Sequence, residues 1–244
     1  MPTTTTTTTT MSNNNTLPPP DRPYGYERFT PAEYDFGSDV GLQAGDAYRD
    51  AELRTLDGAV VRLSDYLRDK PLVLETGSMT CPMYGQSVAP MKTLIEKYPG
   101  FDHVLLYVRE AHPGERQPQH ATQAQKLDAA RTNKRRYEER RTILVDDPQG
   151  SAHRWYGAMP NSIFVIAPDG TILFRSIWNN AAEMDAILGE IAAGRTVTAR
   201  DFKPVPPFSL RAARTLAYGG AVALWDFLRG LAPLIGNHKK AGNM

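Results

Sequence analysis

Four short apolar runs constrain this chain more than any other feature: Pro71–Thr76, His103–Val108, Thr142–Asp146 and Ser162–Ala167. Each is short and set off by polar, Gly or Pro residues, so each reads as a buried strand. Helical spacing fills the gaps between them. Pro82–Tyr98 places Val88, Met91, Leu94 and Ile95 on one side, and Pro82 suits a first turn, where its missing N–H would have had no partner. Ala121–Arg140 reads as a long polar helix, Gly150–Tyr156 as a helical turn and Ala181–Ala193 as a closing helix. Ahead of them, Ala51–Leu56 and Ala59–Leu63 alternate about Asp57-Gly58, a hairpin signal. Asp169-Gly170 turns the last apolar run into Thr171–Phe174. The order is hairpin, β, α, β, α, β, β, β, α. That predicts an α/β fold, a mixed sheet flanked by helices in the thioredoxin-like arrangement of redoxins.

Composition divides the chain into three parts. Residues 1–40 open with Thr3–Thr10, Asn13–Asn15 and Pro18–Pro20 and are expected to be disordered or irregular. Residues 41–193 form the domain. Residues 194–244 hold a linker with Pro204, Pro206 and Pro207, then a C-terminal helix over Leu210–Ile235. Arg214, Gly219-Gly220, Asp226 and Arg229 interrupt that helix, so it falls short of the ~20 apolar residues of a membrane span. It is expected to pack on the domain or to pair two copies as a homodimer, with peripheral membrane contact as the lesser reading. The N-terminus has no signal-peptide pattern, and a cytoplasmic location is expected.

Net charge is +1, which offers no broad electrostatic case for nucleic acid. The basic run Arg131–Arg141 is expected to be a solvated helix face. There is one cysteine, Cys81, so an intrachain disulfide is impossible. The five histidines show no zinc spacing. Any redox cycle at Cys81 then needs no bound cofactor but an external thiol reductant, such as a thioredoxin or glutathione system.

The chemistry concentrates in Gly77-Ser78-Met79-Thr80-Cys81-Pro82. A strand ends at Thr76 and a helix starts at or just after Cys81. Free N–H groups and partial positive charge at a helix start favour thiolate. Cys81 is therefore expected to be an accessible nucleophile with a pKa below the usual ~8.5. The hydroxyls of Ser78 and Thr80 are in position to donate to the sulfur or to a developing anion. Tyr84 stands where a C-x-x-C motif would have its second cysteine, which excludes dithiol exchange within the motif. Pro160, in the segment before the C-terminal hairpin, sits where this fold places a cis-proline beside the active cysteine.

These residues resemble the active site of the iodothyronine deiodinase family, a glycine-serine-x-threonine segment followed by selenocysteine and proline. Gly77, Ser78, Thr80, Cys81 and Pro82 fit it, with cysteine in the selenocysteine place. Tyr107–Pro113, containing Glu110-Ala111-His112, is similar to that family's strand ending in glutamate-alanine-histidine. His120 matches its second functional histidine. Tyr156–Pro160, the strand Ile163–Ile166, and Trp178 with Asn180 continue the resemblance. Met79 replaces a further cysteine that some members carry, and the loop between His112 and His120 is short.

The resemblance implies reductive dehalogenation of an iodinated aromatic through the Cys81 thiolate. His112 and His120 would supply the proton, with Ser78 and Thr80 beside the sulfur and Glu110, Pro160 and Trp178 near the substrate. Glu110 is placed to orient His112 or bind substrate. The match to peroxiredoxins is partial, with Leu74 and Ser78 where those enzymes have proline and threonine. It leaves a one-cysteine hydroperoxide reductase as the alternative. A non-catalytic thioredoxin-like binding domain is the third reading. His103, His153 and His238 read as structural or solvated.

Overall fold

A computed structural model describes residues 23–34, 41–198, 200–204 and 209–242. The threonine tract and the rest of residues 1–22 lie outside the described residues. The central sheet forms from β1 (Glu52–Arg54), β2 (Val60–Arg62), β3 (Leu72–Gly77), β4 (Asp102–Tyr107), β5 (Thr142–Val145), β6 (Ile163–Ile166) and β7 (Ile172–Ser176). Its order is β2-β1-β5-β4-β3-β6-β7. β3, β4 and β5 run parallel, while β6 pairs antiparallel with β3, β7 with β6 and β1 with β5. This is the thioredoxin-like mixed sheet. The parallel strands need crossovers, and α1 (Pro82–Lys97) and α2 (Gln123–Tyr137) supply them. α3 (Ser151–Trp155) and α4 (Ala181–Ala192) complete the domain.

Period-two alternation in β3 sends Leu72 and Leu74 to one face and Val73 to the other. Leu72 and Leu74 join Val104, Leu106, Leu144 and Phe164 under α3. Val73 joins Met91 of α1 and Met184, Ile187 and Leu188 of α4. Between α1 and α2, Tyr84, Val88, Leu127 and Ala130 close over Leu105, Tyr107 and Ile143. α2 starts at a reciprocal cap in which Thr122 and Gln125 each accept the other's backbone N–H. It ends at Glu138 in a left-handed turn (φ 50°), so the helix is shorter than the polar run that encodes it.

The basic run corrects one expectation. Arg135 and Arg136 lie in the solvated last turn of α2, but Arg141 is buried. Its guanidinium pairs with Glu75 of β3, and also with Glu139 at 2.8 Å. Glu75 further accepts from Ser87 Oγ of α1 and Asn161 Nδ2, both at 2.7 Å. A carboxylate inside an apolar strand survives because every neighbour packed against it donates.

The C-terminal segment is two helices rather than one, α5 (Leu210–Gly219) and α6 (Ala221–Lys240). Gly220 breaks them at φ +99°, a conformation that favours glycine. α5 lies on α1 so closely that a Cβ on Gly85 would meet Thr215 Oγ1 at 2.1 Å. Among the described residues, no helix is long and apolar enough to cross a membrane. Residues 23–34 contain one short 3-10 turn, Pro31–Glu33, yet Tyr24, Phe29 and Tyr34 are buried against the domain.

The Glu75–Arg141 pair yields a stability test. Arg141→Ala should leave the buried Glu75 carboxyl group without its cation, at a cost of about 3–5 kcal/mol. Urea unfolding of the variant should show that loss. A change under about 1 kcal/mol would mean the pair contributes little beyond packing.

Candidate active site

β3 ends at Gly77, where a Cβ would sit 2.6 Å from the Tyr84 ring, so the strand-to-loop junction needs glycine. The Ser78–Thr80 turn closes with Cys81 N donating to Ser78 O at 3.1 Å. Cys81 is then the N-cap of α1, and its Sγ accepts from Tyr84 N at 3.5 Å. Pro82 follows as the first helical residue.

The organising group is Glu110, just beyond the end of β4. Its carboxylate is fully buried and accepts from Thr80 N at 2.9 Å and Thr80 Oγ1 at 2.6 Å. The Tyr107 hydroxyl donates to its other oxygen, and His120 Nε2 lies 3.3 Å from that oxygen. Burial would raise the Glu110 pKa, but the hydrogen bond and charge of His120, with the Thr80 and Tyr107 bonds, hold it below the usual carboxylate value. Thr80 Oγ1 in turn accepts from His112 N at 3.1 Å, and Ser78 Oγ accepts from Ala111 N at 3.2 Å. So the loop before Cys81 and the segment 110–112 are stitched together atom by atom.

The family model for iodothyronine deiodinase matches residues 39–179 of this chain. The chain belongs to the iodothyronine deiodinase family. It is 31% identical to thyroxine 5-deiodinase of Sus scrofa over 122 residues, which is 46% of this chain and 39% of that protein. It is 33% identical to type II iodothyronine deiodinase of Mus musculus over 75 residues, 30% of this chain and 27% of that one. The chain thus aligns with well under half the length of these curated relatives. Among solved structures, a hypothetical protein from Sinorhizobium meliloti 1021 shares the fold at a TM-score of 0.52 and 15% identity, covering 66% of this chain and 90% of its own. An uncharacterised conserved protein from Geobacillus kaustophilus does so at 0.52 and 16%, covering 67% and 89%.

All the site residues named from the sequence fall inside the deiodinase-family span. Cys81, Ser78, Thr80, Glu110, His112 and His120 gather around the active loop. Pro160 lies just before β6 and Trp178 just after β7, where Trp178 joins an apolar cluster with Phe29, Tyr34 and Met159. The Met159–Pro160 bond is trans, which corrects the cis expectation. Met159 O is taken by His153 Nε2 at 2.7 Å and by Thr76 Oγ1 at 3.2 Å, so the segment docks on β3 in the ordinary trans form.

The exposed, low-pKa thiol is the second correction. Cys81 is 1% exposed. Burial pushes its thiol up to about 12; the N–H groups of Tyr84 and Met83 oppose this, while the carboxylates of Glu75 and Glu110 add to it. The helix start is present, but desolvation outweighs it. Neither neighbouring hydroxyl serves the sulfur: Thr80 donates to Glu110, and Ser78 accepts from Ala111. Glu110 engages His120 by hydrogen bond, and reaches His112 only through Thr80.

Sequence reasoning anticipated that the C-terminal helix packs on the domain, but not that it and residues 23–34 cover the site. Phe29 stacks on His112 with ring centres 4.1 Å apart, and Phe227 of α6 meets the same ring edge-on at 5.5 Å. Tyr26 donates to Ala111 O at 2.9 Å, and the Arg109 guanidinium stacks on Tyr24, Tyr26 and Tyr34. Gly219 packs so tightly that a Cβ would meet His112 O at 2.7 Å. Glu115 caps α6 by accepting from Ala221 N and Val222 N at 2.6 and 2.9 Å. Arg28 donates to Asp226 at 2.6 Å. The signals available were the tyrosine and phenylalanine spacing in 24–34 and the apolar residues of 210–235, neither of which declares a partner.

Two measurements follow. At pH 8, alkylation of native Cys81 should run about a thousandfold or more slower than that of a free thiol, and urea should restore the ordinary rate. Fast native labelling would contradict the closed site. Second, His112 is held down to about 3 and His103 to about 4, chiefly by burial, and His153 well below its usual value. The unfolded chain binds these protons near pH ~6.5. Stability should therefore be full above that pH and fall as the pH drops toward 4. The urea midpoint should decline between pH 7 and 5, above the carboxylate range, and less steeply in His112→Phe. A flat midpoint would refute buried neutral histidines.

Proposed function

We propose that this chain is a thiol-dependent reductive dehalogenase of an iodinated aromatic, with Cys81 as its nucleophile. One observation carries the reading: the Glu110 carboxylate ties Thr80, the residue before Cys81, to His120. Nucleophile and proton donor are thereby referenced to one buried charge. Family membership supports the same chemistry.

In this reading the Cys81 thiolate attacks iodine. The S–I bond forms as the C–I bond breaks, and the electron pair passes to the ring carbon. That carbon takes a proton from His120, which the Glu110 carboxylate orients through Nε2. His120 Nδ1 is buried without a hydrogen-bond partner and is the nitrogen left to act. The sulfur is oxidised by two electrons and the carbon reduced. An external thiol then attacks the sulfur, an S–S bond forms and iodide leaves. A second thiol releases Cys81 and carries away the disulfide. His112 is neutral near pH 7 and serves to position substrate rather than to donate from imidazolium.

The closed site requires an opening step. Swinging α6 about Gly220 would remove Phe227 from His112 and admit water to the site. With desolvation relieved, the helix start again favours thiolate. Hydroperoxide reduction is the second reading, because Ser78 Oγ accepts from Ala111 N and keeps its O–H to donate to a peroxide.

Iodide release from 3,5-diiodophenol with dithiothreitol, and loss of hydrogen peroxide, should be followed on one preparation, with Cys81→Ser as the blank. We expect slow, Cys81-dependent iodide release. His120→Ala should reduce it by ~10²–10⁴-fold, more than His112→Ala does. Weakening the cap with Asp226→Ala should raise the rate. Peroxide turnover without iodide release would establish a one-cysteine peroxidase instead.

A further inference from the structure

A groove runs between α2 and α5, and the active loop forms part of its wall. It holds two hollows of about 470 and 290 Å³ that share Arg136, Arg214 and Tyr218. The larger is bounded by Met79, between Ser78 and Thr80, and by Gln117, whose side-chain amide lies 3.3 Å from His120 Nε2. Arg116, Arg136 and Arg214 surround this hollow, all exposed. Among the described residues, none of the three is ion-paired with a carboxylate. Asp128 is the one carboxylate on the larger hollow, and Glu138 on the smaller is shared with Lys92 at 3.8 Å. Arg136 stacks over the Tyr218 ring at 4.6 Å. Tyr218 packs edge-on to Tyr137 at 5.6 Å, and the Tyr137 hydroxyl donates to Met79 O at 2.9 Å.

Three like charges around one hollow raise a positive potential that a bound anion relieves. Guanidinium groups match a carboxylate by paired hydrogen bonds, and the Tyr218 face suits a flat or apolar body. We propose that this groove binds a small-molecule carboxylate, its anion among Arg116, Arg136 and Arg214 and its body along Tyr218 toward Met79. Two molecules of the proposed reaction could bring that chemistry, the aromatic substrate and the thiol co-substrate. Only this link to turnover rests on the dehalogenase reading; anion binding stands apart from it.

The test uses calorimetric titration of the full chain carrying Cys81→Ser, so that no turnover intervenes. The titrants are 3,5-diiodobenzoate, its neutral counterpart 3,5-diiodobenzamide, and S-methylglutathione. We expect diiodobenzoate to bind about tenfold or more tightly than the amide. Binding should weaken with salt and drop by about tenfold or more in Arg136→Glu/Arg214→Glu, with Arg214→Gln intermediate. Arg195→Glu, an exposed change elsewhere, should leave it intact. Groove-dependent binding of S-methylglutathione, with benzoate no better than benzamide, would support the site and assign it to the thiol. The proposal is overturned if no carboxylate binds, or if binding is unchanged in folded Arg136→Glu/Arg214→Glu protein.

Discussion

The buried carboxylate of Glu110 is the interaction on which the site depends. Removing a charge from water costs several kcal/mol, and Glu110 stays ionised because donors converge on it from two directions. Thr80 comes from the active loop, while Tyr107 and His120 come from the segments either side of Glu110 itself. The carboxylate therefore determines where the turn before Cys81 sits relative to β4. The position of Cys81 as N-cap of α1 and the seat of His112 N on Thr80 both follow from that join.

A second buried carboxylate, Glu75, lies under α1 and is held by Arg141, Ser87 and Asn161. Cys81 thus stands between two acidic groups inside a site closed by aromatic rings. Helix-start N–H groups pull its proton off; burial first, and the two carboxylates after it, push the proton back. The closed protein keeps its thiol protonated and protected. In the proposed reaction the thiol must first be opened to water, and α6 would act on it through Phe227 and His112 without touching the sulfur. Both helices lie outside the span matched by the deiodinase family.

Much of the fold was legible because its strands are short apolar runs with turn residues at both ends. Leu72–Gly77 and Ile163–Ile166 pack on both faces, and continuous hydrophobicity is the mark of such strands. The candidate site was legible because Cys81 and Glu110–His112 follow adjacent parallel strands, whose ends lie side by side in any such sheet. Arg141 misled because a basic run looks the same whether its last member points to water or to Glu75. Pro160 misled because residue type does not fix the isomer of an X–Pro bond, and the bond here is trans. The tyrosines of 24–34 carry no periodicity, so their packing on Arg109 and Ala111 left no local trace.

The sequence by itself determined the order of strands and helices, the cysteine at a helix start and the pairing of that cysteine with Glu110, His112 and His120. The first two follow from spacing along the chain and from the short range of capping and strand geometry, and the last from the resemblance to the deiodinase family. The tertiary structure alone decided the protonation of Cys81, the charge of His112 and which histidine meets Glu110. Each is governed by how much water reaches the group and which charges face it. For His112 the water is excluded by Phe29 and Phe227, and for Cys81 the facing charges are Glu75 and Glu110, all distant in sequence from the group they act on, because desolvation and charge depend on everything packed nearby and not on neighbours along the chain.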